Sequence, residues 1–300
     1  MKNRFSQNGL LIMLFILIPA FNAMAAEKKL PVFVSILPQK YFVEKIGGDL
    51  VEVNVMVEPG ANPHTYEPKP AQMTKLSTAR LFFSIGINFE EIWLEKITAA
   101  SPSLKIIHTD DGIEKIIMDG DEHDHDNEKA KSGHSHKKGE PDPHIWLAPK
   151  LVLKQALTIK KALTEADPAN AAAYENGYSA FISEINAIDS EIASILEKSG
   201  NRKFIVFHPS WGYFAQAYKL EQIPMEIEGK QPKPAQIQEL IKTAKKLDIR
   251  VIFAQPQFST QAAEVIAKEI GGKVSFADPL AENWADNLRK TAVLFGSEAK

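Results

Sequence analysis

The sequence predicts an α/β protein of two (βα) lobes with parallel sheets, joined by one long rigid backbone helix. Three observations carry this reading. Short apolar strand patterns alternate with helical ones through residues 32–107, and the same rhythm returns in residues 203–296. The spacers are long enough to be crossover helices, which parallel strands require. Between the halves stands a single periodic segment, residues 167–200, longer than any helix pattern on either side.

The elements follow in order. Val32-Phe33-Val34-Ser35-Ile36-Leu37 reads as a buried strand. Val51, Val53, Val55 and Val57 alternate with other residues and form a second strand, ending at the Pro59-Gly60 turn. A helix over Pro68 to Ala79 precedes the strand Leu81 to Ile85, and a helix over Asn88 to Ala100 precedes the strand Leu104 to Ile107. In the second half, Lys203 to Phe207, Ile223 to Ile227, Val251 to Ala254 and Val274 to Ala277 are short apolar strands. Helical segments near 212–220, 235–247, 260–270 and 284–296 separate or follow them. Each half therefore reads as a Rossmann-like lobe.

In the connecting segment, Asp167 and Pro168 suit a helix start and Gly200 a stop. Tyr174, Tyr178, Phe181, Ile182, Ile185, Ile188, Ile192, Ile195 and Leu196 recur at helical steps. About 31 residues at 1.5 Å each would span about 45 Å, more than one lobe. Gly177 leaves open the alternative of two ordinary helices with a break. The organisation expected is a leader over 1–25, a first lobe over 26–166, the helix over 167–200 and a second lobe over 201–300.

The amino terminus reads as a cleavable signal peptide. Lys2 and Arg4 precede the apolar run Leu10 to Phe21, and Asn22-Ala23-Met24-Ala25 offers small residues for cleavage after Ala25. Twelve apolar residues are too few for a membrane-spanning helix, which needs about 20. Cysteine is absent, so neither a lipid-anchored cysteine, a disulfide nor a thiolate ligand is available. Export to a bacterial periplasm fits best. Loss of the leader takes the formal charge from −3 to −5, which argues against nucleic acid as a partner.

Four of the eight histidines, His123, His125, His134 and His136, lie within residues 119–143 as His-x-His pairs among Asp and Glu. So polar a run cannot form a core, and its ligand types suit loose capture of zinc-like ions in a mobile loop. A hydrophilic insertion that happens to be His-rich is the bland alternative. The other histidines stand singly. His64 sits in a loop stiffened by Pro59, Pro63 and Pro68; His144 follows Asp142-Pro143. His208 and Asp278 close predicted strands and are each followed by proline, where α/β folds deliver residues into a ligand crevice. Each alone has an ordinary explanation, and sequence spacing does not show that they converge. His108 has no such rigid surroundings.

The segments Asn62-Pro63-His64-Thr65-Tyr66-Glu67-Pro68, Asp142-Pro143-His144-Ile145-Trp146-Leu147, His208-Pro209-Ser210-Trp211-Gly212-Tyr213-Phe214 and Phe253-Ala254-Gln255-Pro256-Gln257-Phe258 resemble one family. It is the metal-binding solute-binding proteins of bacterial ABC importers, the zinc and manganese uptake group. The resemblance runs through essentially the whole mature chain. It implies metal ligands at His64, His144, His208 and Asp278, the first two from one lobe and the last two from the other. It also implies a membrane permease as partner and a monomeric carrier. Manganese-type members tend to carry Glu where this chain has His208. Three imidazoles and one carboxylate suit four-coordinate Zn2+, the cargo expected here. The His-rich loop just before His144 is likewise typical of the zinc branch.

Gln255 departs from the family's usual Glu. Glu67 is a candidate for orienting a ligand imidazole through its free N–H. A closed ligand shell leaves no open coordination position, and the chain has no His-Glu-x-x-His helix motif, so carriage is expected rather than catalysis. The alternatives are a manganese or iron carrier of the same family and a periplasmic zinc buffer or chaperone.

Overall fold

The structure is a computed structural model that describes residues 28–118, 140–226 and 230–297. Two four-stranded, all-parallel sheets form its frame. The first contains β1 (Leu30–Val34), β2 (Val51–Val55), β3 (Leu81–Ser84) and β4 (Lys105–His108), in the spatial order β2-β1-β3-β4. The second contains β5 (Lys203–Val206), β6 (Glu221–Pro224), β7 (Val251–Ala254) and β8 (Lys273–Phe276), in the matching order β6-β5-β7-β8. Each strand is only four or five residues long, and β3 and β7 are buried from end to end because both faces of the sheet are covered. In both sheets the order reverses beside the first strand, which opens a crevice at the carboxyl ends.

Helices α1 (Leu37–Gly47), α2 (Pro70–Leu76), α3 (Asn88–Ala100) and α4 (Pro149–Ala166) accompany the first sheet. Helix α1 is a difference from the sequence reading, which gave no helix after the first strand. The strand stops at Val34, and Pro38 starts a helix whose Phe42, Val43 and Ile46 are buried. Helices α6 (Gly212–Tyr218), α7 (Pro234–Lys246), α8 (Gln261–Glu269) and α9 (Trp284–Ser297) accompany the second sheet. Strand β6 begins two residues before the predicted span and ends at Pro224, which lacks the N–H that a continuing ladder would use.

The connecting helix is α5 (Ala171–Glu197), 27 residues, or about 40 Å at 1.5 Å per residue. It begins after a short turn at Pro168–Asn170, because the Asp167 carboxylate accepts from the Asn170 amide and the Tyr174 hydroxyl, each at 2.8 Å. It is unbroken at Gly177. That glycine permits α1 to approach: a Cβ there would lie 2.3 Å from the Ile46 carbonyl oxygen. The strut buries Tyr174, Phe181, Ile185, Ile188, Ile192 and Leu196 against α1, α4 and α9.

One apolar core runs from the first sheet across the strut to one face of the second sheet, while the other face packs on α7 and α8. At the centre Trp284 lies edge-on to Phe42 at 5.2 Å. Two indole hydrogen bonds fasten the halves reciprocally: Trp146 donates to the Pro279 carbonyl and Trp284 donates to the Trp146 carbonyl, both at 2.7 Å. Tyr213 adds a third tie, its hydroxyl donating to the Asp142 carbonyl at 2.8 Å. Among the described residues no helix is long and apolar enough to cross a membrane. The signal-peptide residues and the four histidines of the 119–143 segment (His123, His125, His134 and His136) lie outside the described residues.

Candidate metal centre

Three histidines far apart in sequence meet in the crevice between the sheets. His64 comes from the loop between β2 and α2, where the Asn62 side chain accepts its backbone N–H at 2.9 Å. Its Nδ1 donates to Asn88 Oδ1 at 2.7 Å, and Asn88 is the first residue of α3. His144 follows Asp142, whose Oδ1 accepts both the His144 backbone N–H at 2.8 Å and its Nδ1–H at 2.7 Å. His208 stands just past β5, and its Nδ1 donates to Glu226 Oε1 at 2.5 Å across to the end of the neighbouring β6. The His208 ring also stacks on Phe258, centroids 5.0 Å apart.

The consequence is a matter of tautomers. Every Nδ1 faces an oxygen acceptor, so every Nδ1 carries its proton and every Nε2 presents a lone pair. The ligand nitrogens of the three rings all lie within 4.8 Å of one another, and the Nε2 atoms of His64 and His208 are 3.2 Å apart. Nitrogens bound to tetrahedral zinc at ~2.05 Å would be separated by about 3.3 Å. Three lone pairs facing one point repel each other until a cation sits between them. The chamber they enclose, closed by Trp146, Phe258 and Pro279, has about 10 Å³ of free volume, room for a single small ion or water.

Electrostatics favour the same state. Burial first, and then the neighbouring His208 imidazole, lower the His64 pKa to about 4. Burial likewise pushes His208 down, against the pull of Glu226. Both shifts favour the neutral ring that can ligate a metal, and for His64 that form persists well below neutral pH.

Asp278 is not among the converging groups. It lies half-buried just past β8, with Oδ1 accepting from Gln257 Nε2 at 2.8 Å and from the Leu280 backbone N–H at 2.9 Å. Glu67 is exposed, and the oxygen at His64 Nδ1 belongs to Asn88 instead. His108, at the end of β4, is exposed and contacts the Ser84 hydroxyl at 2.9 Å. Gln255, the departure from the family pattern, is fully buried and clamps the His208 backbone in both directions. Its Oε1 accepts the His208 N–H at 3.1 Å and its Nε2 donates to the His208 carbonyl at 2.6 Å. A carboxylate could only accept, so the amide is what this two-way clamp uses.

Sequence reasoning did not find Asn88, Asp142 and Glu226. Asp142 offered a signal, lying two residues before His144 in the quoted motif. Asn88 and Glu226 are brought in only by the packing of α3 and β6.

A two-lobed protein whose crevice presents three inward-facing imidazole lone pairs is a metal-binding protein of the solute-carrier class. The family model of the periplasmic zinc-uptake complex component A, ZnuA, matches residues 32–293, and the chain belongs to that family. A crystal structure of ZnuA superposes with a TM-score of 0.83 at 44% identity, covering 91% of this chain and all of that one. The high-affinity zinc uptake system protein ZnuA of Bacillus subtilis is 29% identical over 257 residues, 84% of this chain and 79% of that protein. The zinc-binding lipoprotein AdcA of Streptococcus pneumoniae is 28% identical over 268 residues, 88% of this chain. This chain spans about half the length of the AdcA relatives it matches, 52% in that case.

Proposed function

We propose that this protein is a periplasmic zinc carrier. It captures Zn2+ in the crevice on the Nε2 atoms of His64, His144 and His208, with Asp278 able to supply a fourth ligand, and delivers the ion to the membrane permease of an ABC importer. The observation that carries the reading is the set of three converging imidazoles whose Nδ1 atoms all face oxygen acceptors. Membership of the zinc-uptake family and the zinc-uptake names of its relatives support it.

A nitrogen-rich donor set favours zinc over manganese, which prefers oxygen ligands and six-coordination. The chamber's small volume supports a bare ion rather than a hydrated one. Carriage, rather than catalysis, is what a site with no room for a substrate beside its ion serves. The protein acts as a monomer without nucleic acid, and the His-rich segment 119–143 serves as a weaker collector of ions.

The test is a titration of metal-free protein with zinc and then manganese, in competition with a chelator of known affinity. One tight zinc site, plus weaker sites that vanish when residues 119–143 are deleted, is the expected result. Preference for manganese, or loss of the tight site with the deletion, overturns the reading.

A further inference from the structure

The geometry points to Gln257 as the residue that sets zinc affinity and release, by holding Asp278 out of the three-histidine chamber. The inference rests on the zinc-carrier reading above and concerns the same site. Two cavities meet at this side chain. One is the histidine chamber, walled by His64, His144 and His208. The other is an adjoining open cleft of about 300 Å³, lined by Glu58, Gly60, Asp278 and Glu282. Gln257 and Leu280 alone line both. The carboxylate of Asp278 is thus parked on the far side of a partition made by the two groups that hold its Oδ1, the Gln257 amide and the Leu280 N–H.

The backbone around Asp278 is tied at two successive carbonyls. Its carbonyl accepts from Asn287 Nδ2 at 2.7 Å, and the next residue, Pro279, is pinned by the Trp146 indole. Rotation of the side chain is the shorter route, and the side-chain bond to be exchanged for the metal is the one from Gln257, the other being the Leu280 N–H. The amide is also half-satisfied: its Oε1 is buried with no hydrogen-bond partner among the described residues. A fully bonded glutamine would be a fixed wall. One with an orphan acceptor holds Asp278 by a single donor, whose loss leaves only the Leu280 N–H on that carboxylate oxygen. Gln257 is a positioning residue in this account. It withholds a carboxylate that would tighten the metal, which suits a protein that must also let its cargo go.

The test is a double-mutant cycle read as zinc affinity by chelator competition and as zinc dissociation rate by stopped flow. The variants are Gln257→Met, which keeps length without a donor, Gln257→Ala, Asp278→Asn and the combinations. Either Gln257 variant is expected to bind zinc about tenfold more tightly, equivalent to about 1.4 kcal/mol, and to release it more slowly. In the Asp278→Asn background the same substitutions should change affinity less than twofold. Equal effects in both backgrounds, or weaker binding from both Gln257 variants, overturn the latch. So does an Asp278→Asn variant that binds zinc more than about tenfold more weakly than the parent, because the carboxylate would then already be a ligand. Failure of the carrier reading itself looks different: His208→Ala would then retain the tight zinc site.

Discussion

The contact between His208 and Glu226 is the sharpest place to test how the site is built. Both side chains are almost fully buried, and the Nδ1–H···Oε1 distance is 2.5 Å. Glu226→Gln keeps the shape and removes the charge. A hydrogen bond to a charged group contributes about 1.5–3 kcal/mol, a neutral one about 0.5–1.5, so the substitution forfeits about 1–1.5 kcal/mol in holding the imidazole. The amide also offers an N–H, which rewards the opposite tautomer and puts the His208 proton on Nε2, where the metal must bind. Together these predict roughly 10- to 100-fold weaker zinc binding, the usual scale for losing such a partner. The assay is competition against a chelator at pH 7, paired with nitrogen-detected NMR of the His208 tautomer and a thermal melt to confirm folding. A folded Glu226→Gln protein that binds zinc within twofold of the parent, with its proton still on Nδ1, would refute the tautomer argument.

Gly177→Ala should destabilise the protein although alanine is worth ~1 kcal/mol more in a helix, because its Cβ would meet the Ile46 carbonyl at 2.3 Å and overpacking costs about 1–3 kcal/mol. A lower melting temperature is expected, and a rise would mean that α1 yields freely. Trp284→Phe removes the donor to the Trp146 carbonyl and opens space beside Phe42, so unfolding by denaturant should show a loss of about 2–4 kcal/mol. The metal-free protein should lose stability relative to His64→Asn as pH falls from about 6.5 towards 4, because unfolding frees a ring whose folded pKa is about 4 to take up a proton. That contribution is intact above 6.5 and reaches about 3 kcal/mol of loss at the bottom of the window. Comparison with the variant is needed because Glu90, its pKa raised to about 7 chiefly by burial, titrates with the opposite sign. Denaturant midpoints at pH 7 and 4.5 that move in parallel for the two proteins would contradict it.

How much of this was legible in the sequence follows from the range of the forces involved. His64, His144 and His208 could be picked out because each sits beside prolines, at a strand end or in a stiff loop, and those are local signals. The partners of their Nδ1 atoms were mostly hidden. Glu226 reaches His208 only because β6 lies beside β5, and strand order is a tertiary choice that short apolar runs do not encode. Asn88 reads as an ordinary first helical residue until α3 is packed beneath the His64 loop. Helix α1 was hidden for another reason: the apolar run Val32–Leu37 continues past the true strand end, and only Pro38 marks the change. Gly177 shows the reverse case. As a helix residue it suggests a break, and only the approach of α1 reveals it as a packing requirement.

The charge arrangement ties these pieces to function. Asp142 and Glu226 are buried carboxylates, and among the described residues each is paired only with a histidine, His144 and His208 respectively. Burying two carboxylates without a lysine or arginine is costly, and the imidazole N–H groups offset only part of that cost through their hydrogen bonds. A divalent cation at the meeting point of the Nε2 atoms balances both charges through one ring each. Two anions and one dication leave the core of the site neutral, so binding recovers much of what folding gave up there. Asp278 is then surplus to charge balance. That explains why it can remain outside on Gln257, and why bringing it in would tighten the ion beyond what a carrier that releases its cargo needs. Selection for charge two comes from the buried carboxylates, and selection for nitrogen-preferring ions comes from the imidazoles they orient.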